Sequence, residues 1–352
     1  MTNNNIPPSL NSTAPAGEQQ KTAESLVDLR IKHPRVAGIM GEIDALVYPG
    51  SQDSLVQICG PTGVGKSALV RHVVDSIVSK AHTEMQENAG LVPAVYVEAP
   101  SSGEQEFSWR LFYHRILEQL DGEVIDMLPR SSYQYDPQLG RVVKPQRATG
   151  SLAALRTAVE RSLEARGTRV LVVDEAAHII QQTSPKRLES QLNTLKSLAN
   201  ACGAQMVLVG SYDLYQLLAL SAQIARRTHV LHFERYREDR PEDVRIFAAC
   251  VSGFEQALAH LWGGKLLAYT ATLHENSLGC VGTLNAVLTR TARRMEATGL
   301  PLQEALHRSL LTEAQRQQIL AETYDGETAI NPGITRAIPK FVRPRSSIPT
   351  PV

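Results

Sequence analysis

Cysteine is scarce: the chain of 352 residues has four, Cys59, Cys202, Cys250 and Cys280, with no paired spacing. That excludes a disulfide framework or a zinc-finger ligand set and leaves four small buried hydrophobes in a reducing compartment. Aromatic residues are few, at 5%, beside a hydrophobic fraction of 43% that is ordinary for a globular chain. No apolar run approaches the ~18 residues of a membrane-spanning helix. Met1 to Pro8 has neither the basic start nor the apolar run of a secretory signal. A cytoplasmic protein without a membrane partner is expected. Charge of one sign in excess is missing too, because 36 Lys and Arg balance 36 Asp and Glu. Taken alone, that balance argues against nucleic acid, whose binding domains are usually basic.

What is present alternates. Leu55–Cys59, Ala94–Val97, Val170–Val173, Gln205–Val209 and Thr228–Phe233 read as strands, and Val170–Val173 is apolar on both faces as a central parallel strand should be. Helices fall between them. One is capped by Ser151, shows Leu152, Leu155, Val159 and Leu163 on one face, and stops at Gly167. Another carries Leu188, Leu192, Leu195 and Leu198 and closes at Gly203. This order predicts an α/β fold with a five-stranded parallel sheet and helices on both faces. After Phe233 the strand signals stop, and Glu242 to about Tyr324 reads as four or five helices. The expected division is a disordered tail over 1–24, an α/β core over 25–240, a helical lid over 241–328 and a basic, Pro-rich tail over 329–352.

One segment decides the chemistry. Gly60-Pro61-Thr62-Gly63-Val64-Gly65-Lys66-Ser67 matches G-x-x-x-x-G-K-[ST], between a strand and a helix. Backbone N–H groups must wrap closely around anionic phosphates, which needs residues without a Cβ, and the following helix adds its dipole. Lys66 would reach the β- and γ-phosphates of ATP, and the Ser67 hydroxyl would ligate Mg²⁺. The strand Val170–Val173 delivers Asp174-Glu175 at its C-terminal end. Asp174 would hold the Mg²⁺ shell, and Glu175 would orient or deprotonate the attacking water. Ser211, ending the next strand, would position that water. His178 receives no role.

These motifs, with His33-Pro34-Arg35 upstream, Asp174-Glu175-Ala176-Ala177-His178, Val209-Gly210-Ser211, Ala225-Arg226-Arg227 and His232-Phe233-Glu234-Arg235-Tyr236, resemble the TnsC/TniB group of AAA+ transposition regulators. The resemblance spans roughly residues 25–300 and extends to the phage Mu target-selection ATPase and insertion-sequence helper ATPases. It implies a P-loop AAA+ domain followed by a small helical lid. It also implies that Arg226 or Arg227 faces the nucleotide of a neighbouring subunit as a trans-acting finger. One departure stands out: Gly279-Cys280-Val281-Gly282-Thr283-Leu284 has no arginine where many AAA+ lids carry one.

The resemblance further implies a bacterial ATPase that forms a homo-oligomer, ring or helical filament, on double-stranded DNA. It would link a target-selector protein or RNA-guided complex to a transposase, with hydrolysis as a timer. Lys66 and Asp174 are 108 residues apart, so an insertion is expected over 100–150, as a helix from Glu106 to Leu120 and then a loop. From Arg141 to Arg169 there are seven basic and two acidic residues. Arg110, Arg141, Lys144 and Arg147 would track DNA phosphates without reading bases. The zero net charge then conceals one basic strip per subunit, repeated by the oligomer. The competing readings are a replication initiator or helicase loader, and a STAND-like nucleotide switch. The winged helix of the first and the repeat array of the second are not found in this sequence.

Overall fold

The computed structural model describes residues 22–27, 29–47, 55–101, 103, 106–121, 134–136, 141–143, 151–181, 185–215 and 228–330. A parallel sheet runs β2 (Ala94–Glu98), β5 (Val170–Asp174), β6 (Gln205–Gly210), β1 (Leu55–Cys59) and β7 (Thr228–His232) in spatial order. Every pairing in it is parallel, with β1 held between β6 and β7. Its inner strands β1, β5 and β6 are buried along their whole length, which is why they read as largely apolar runs.

Side-chain alternation sorts the strands into two cores. On one face Leu55, Val95, Leu171, Val173, Met206 and Leu208 pack against α4 (Trp109–Asp121), α5 (Leu152–Ala165) and α7 (Pro185–Cys202) through Phe112, Ile116, Val159, Leu163 and Leu195. On the other, Val56, Ile58, Val172, Val207 and Val209 meet α1 (Pro34–Leu46) and α2 (Lys66–Lys80) through Ile39, Ile43, Leu69 and Val73. The short α3 (His82–Glu87) and α6 (Ala177–Gln181) complete this part of the chain. Burial of that much apolar side chain, at about 25 cal/mol per Å² removed from water, is the main term holding the layers together.

A third core lies beyond β7. Pro241 starts α8 (Pro241–Ala257) with its ring at a position where an N–H would have no partner, and Glu242 and Asp243 complement the helix dipole. Then come α9 (Ala259–Trp262), α10 (Thr270–Ser277), α11 (Val281–Thr298), α12 (Leu302–His307) and α13 (Glu313–Ile330). Phe247, Phe254, Trp262, Leu284 and Leu288 fill the centre together with Ala23 and Leu26 of the N-terminal turn.

Three expectations change. The described part of the helical unit holds six α-helices and runs to Ile330, past the expected end near Tyr324. Left-handed residues at Gly263–Gly264 and Leu278–Gly279 divide it more finely than the apolar pattern shows. The helix expected from Glu106 begins at Trp109, because Phe107 is drawn into the core against the Trp109 ring and Ser108 accepts the first helical bond from Phe112. Part of the expected loop is an antiparallel hairpin, β3 (Gln134–Asp136) with β4 (Arg141–Val143), too short for alternation to show.

Candidate functional site: a phosphate loop between core and helical unit

β1 ends at Cys59 and α2 begins at Lys66, so the matched loop spans Gly60 to Gly65 at the C-terminal end of β1, the strand between β6 and β7. Gly63 and Gly65 hold φ of 79° and 109°, left-handed backbone that a side chain would strain. The Lys66 ammonium lies inside the loop, donating to the carbonyls of Gly60 and Pro61 at 2.9 Å each. Burial pushes Lys66 below the usual lysine range, and the Glu175 and Asp174 carboxylates oppose that shift. A half-buried ammonium that donates to carbonyls inside the loop is poised for an anion. Replacing Lys66 with Ala is expected to weaken ATP binding roughly 10- to 100-fold, the loss of charge-assisted hydrogen bonds, measured by titration with a fluorescent ATP analogue.

Asp174 closes β5 and is buried, with 2% of its surface exposed. One carboxylate oxygen accepts the Glu175 N–H at 2.9 Å and the other the Tyr96 hydroxyl at 2.8 Å. Tyr96 stands on the adjacent strand β2 with the Arg71 guanidinium 5.5 Å from its ring centre. Burial and then Asp174 push the Tyr96 hydroxyl up to about 12, so it stays a donor at neutral pH. Tyr96 is a contributor that sequence reasoning missed, since a lone tyrosine on a strand carries no signal of its own.

Glu175 follows at φ 50°, left-handed for a residue with a Cβ, and its side chain is exposed. The next N–H, from Ala176, donates to Val209 O at 2.8 Å and so ties the turn to β6. Ser211 follows β6 directly, and its hydroxyl donates to Asp213 at 3.3 Å. Pro61, Thr62, Glu175, His178, Ser211 and Tyr212 share a cleft of about 840 Å³, whose far wall is Ile319, Glu322, Thr323 and Gly326 of α13. The structure therefore brings the loop, Glu175 and Ser211 to one cleft. His178 lines it too, with Nδ1 3.1 Å from Ala99 O.

Across the loop lies a second, largely apolar pocket of about 310 Å³. Leu29, Ile31, His33 and Val36 form one wall, Val64, Gly65 and Leu69 the floor, and Phe233, Phe254, Val281 and Asn285 the rest. It is shaped for a flat, apolar-faced group beside the phosphate site. His33 is pinned there. Its ring stacks on Phe233 at 6.2 Å, and its Nδ1 lies 2.7 Å from the Tyr236 hydroxyl. Burial and the neighbouring Arg35 push His33 down to about 4, so the ring is neutral at neutral pH and shares that hydrogen bond with the Tyr236 hydroxyl. The Arg35 guanidinium sits 4.4 Å over the Tyr236 ring and pairs with Asp243 at 2.7 Å. Contacts between residues some 200 apart were beyond any local sequence pattern.

A magnesium ion suits the donor set. Asp174 and Ser67 offer hard oxygens, and among the described residues no group of three His, Cys, Asp or Glu forms a cage. An ion held by one carboxylate, one hydroxyl and substrate phosphates is the usual arrangement for Mg²⁺.

The remaining expected residues are spread apart. Arg226 and Arg227 lie outside the described residues, as do Lys144 and Arg147. Arg110 is exposed on α4, and Arg141 opens β4. Part of the basic stretch is paired with acids: Arg156 with Glu160 at 2.8 Å, and Arg169 with Glu84. Among the described residues no helix is long and apolar enough to cross a membrane.

The strand order, the phosphate loop after β1 and the acidic pair at the end of β5 define a P-loop AAA+ fold. Residues 50–218 match the family described as AAA domain. The Aeropyrum pernix ORC2 protein, solved as ADPNP–ADP complexes, is similar over 80% of this chain and 68% of its own, at 14% identity and a TM-score of 0.51. The Aeropyrum pernix ORC1 protein in complex with DNA is similar over 91% of this chain and 73% of its own, at 14% identity and a TM-score of 0.52. At such identity the likeness is one of fold. No curated protein matches the chain.

Proposed function

We propose that the protein is an ATPase of DNA transposition, assembling on double-stranded DNA in its ATP state and linking target selection to transposase recruitment. The observation that carries the reading is the packed cluster of His33, Arg35, Phe233 and Tyr236, with Arg35 bound to Asp243. They belong to the upstream His33-Pro34-Arg35 and the Arg226-to-Tyr236 stretch, which narrow the resemblance to the transposition regulators, and these four meet beside the phosphate loop. In this reading Lys66 and the loop N–H groups hold the ATP phosphates, and the apolar pocket takes the base. Ser67 and Asp174 hold Mg²⁺, Glu175 activates water and Ser211 orients it. Arg226 or Arg227 reaches the same cleft from a neighbouring copy, and hydrolysis dismantles the assembly. Arg110, Arg141, Lys144 and Arg147 supply backbone contacts to DNA.

Electron microscopy with duplex DNA tests this. Rings or filaments are expected with a non-hydrolysable ATP analogue and Mg²⁺, and none without nucleotide. DNA affinity should fall steeply as salt rises. A monomer under every condition would refute the proposal. A replication initiator or helicase loader, the second reading, shares this fold. The two part on the protein recruited: a transposase in one case, a replicative helicase in the other.

A further inference from the structure

Where the sequence lacks an arginine at the start of α11, the structure puts main chain against main chain. The Thr283 N–H donates to the Gly63 carbonyl of the phosphate loop at 2.8 Å. Thr283 lies in the first turn of α11, whose N–H groups have no partner inside the helix. Gly282 makes the approach possible, because a Cβ there would stand 2.6 Å from Gly63 O and 3.3 Å from Gly65 N. The other edge of the same peptide group is the Val64 N–H, which makes a long bond of 3.3 Å to Pro61 O. A trans peptide points its C=O and N–H in opposite directions. One rigid group therefore presents its oxygen to the helical unit and its hydrogen to the inside of a loop built to surround phosphate.

We infer that the Gly63–Val64 peptide group relays phosphate occupancy to the helical unit, through the Thr283 N–H and in place of an arginine side chain. A phosphate oxygen that takes the Val64 N–H from Pro61 polarises the peptide. The Gly63 oxygen then becomes a stronger acceptor for Thr283, since hydrogen bonds in a chain reinforce one another. α11 is drawn onto the loop when phosphate is present and loosened when it leaves. This inference rests on the nucleotide reading above and adds the route by which the bound state is felt.

The test is amide hydrogen exchange in the full chain, read residue by residue, with and without a non-hydrolysable ATP analogue and Mg²⁺. Thr283 is expected to be protected already without nucleotide. It should slow by a further 2- to 10-fold or so with the analogue, the worth of one strengthened hydrogen bond, while Val287 and Leu288 farther along α11 do not change. Protection gained at Lys66 and Ser67 with none gained at Thr283 would overturn the relay alone. No gain at Lys66 or Ser67 would overturn the nucleotide reading and the relay together. Gly282→Ala supplies a second measurement. It should bind the analogue roughly 2- to 10-fold more weakly and lose the response at Thr283, while Val287 and Leu288 exchange as in wild type. Unchanged affinity and an unchanged response in that variant would also overturn the relay.

Discussion

Glu175→Gln is expected to lower the rate of ATP hydrolysis by about 10²- to 10⁴-fold, the usual range for a lost general base, while ATP binding stays within a few-fold of wild type. The two side chains have the same shape, so the substitution removes basicity and charge and leaves packing alone. Lys66 and the loop N–H groups, which would carry binding, are untouched. Phosphate release under steady state and titration with a fluorescent ATP analogue separate the two effects. Hydrolysis near the wild-type rate would remove Glu175 from the water-activating role. The backbone gives independent reason to look here. A left-handed residue with a Cβ costs roughly 1–2 kcal/mol, and Glu175 holds φ 50° at the mouth of the cleft. Glu175→Gly should be equally inactive yet no less stable, since glycine relieves that strain. A drop of several degrees in its melting temperature would contradict the strain argument.

The second large effect is expected far from the phosphates. Arg235, just after β7, and Glu327 on α13 form a buried pair, with bonds of 2.9 and 3.4 Å and side chains only 10% and 7% exposed. Arg235 also lies 5.6 Å from the Tyr324 ring centre. Glu327→Ala would leave the guanidinium buried without a partner, at a cost of about 3–5 kcal/mol. Urea unfolding measures this, and hydrogen exchange along α13 shows whether the loss is local. Replacing both residues with apolar ones of similar size should recover most of the stability, because the pair's own net worth is small once desolvation is counted. A Glu327→Ala protein within 1 kcal/mol or so of wild type would mean the pair is solvated in solution. Since α13 forms one wall of the cleft, its release would take that wall away from Glu175 and Ser211.

The sheet was legible because its inner strands β1, β5 and β6 are buried on both faces and bounded by helices with their own period. Val170–Asp174 and Gln205–Gly210 fall within one residue of where their apolar runs end. The phosphate loop was legible because its chemistry dictates residue types at fixed spacing. What escaped is held by contacts distant in sequence. Tyr96 reaches Asp174 across a strand pair, 78 residues away. His33 is fixed by Phe233 and Tyr236, and Gly326 sits directly on the Tyr212 ring so that α13 can close the cleft. Each of these residues is commonplace in its own segment. The departure at Gly282 was visible as a missing arginine, but its meaning needed the 2.8 Å contact to Gly63.

The four cysteines have a practical consequence. All are buried, and burial pushes the thiols of Cys59 and Cys280 up to about 12 and that of Cys250 up to about 11, with Cys202 also raised. Thiolate, the form that reacts with maleimides, is therefore nearly absent at neutral pH. The wild-type chain is a silent background for labelling, and no native thiol has to be removed first. Leu152 on α5 and Leu267 beside α10 are both exposed, at 44% and 46%. Leu152→Cys and Leu267→Cys in one chain would carry a donor and an acceptor dye, so that energy transfer follows the helical unit against the sheet in real time as nucleotide arrives and is spent.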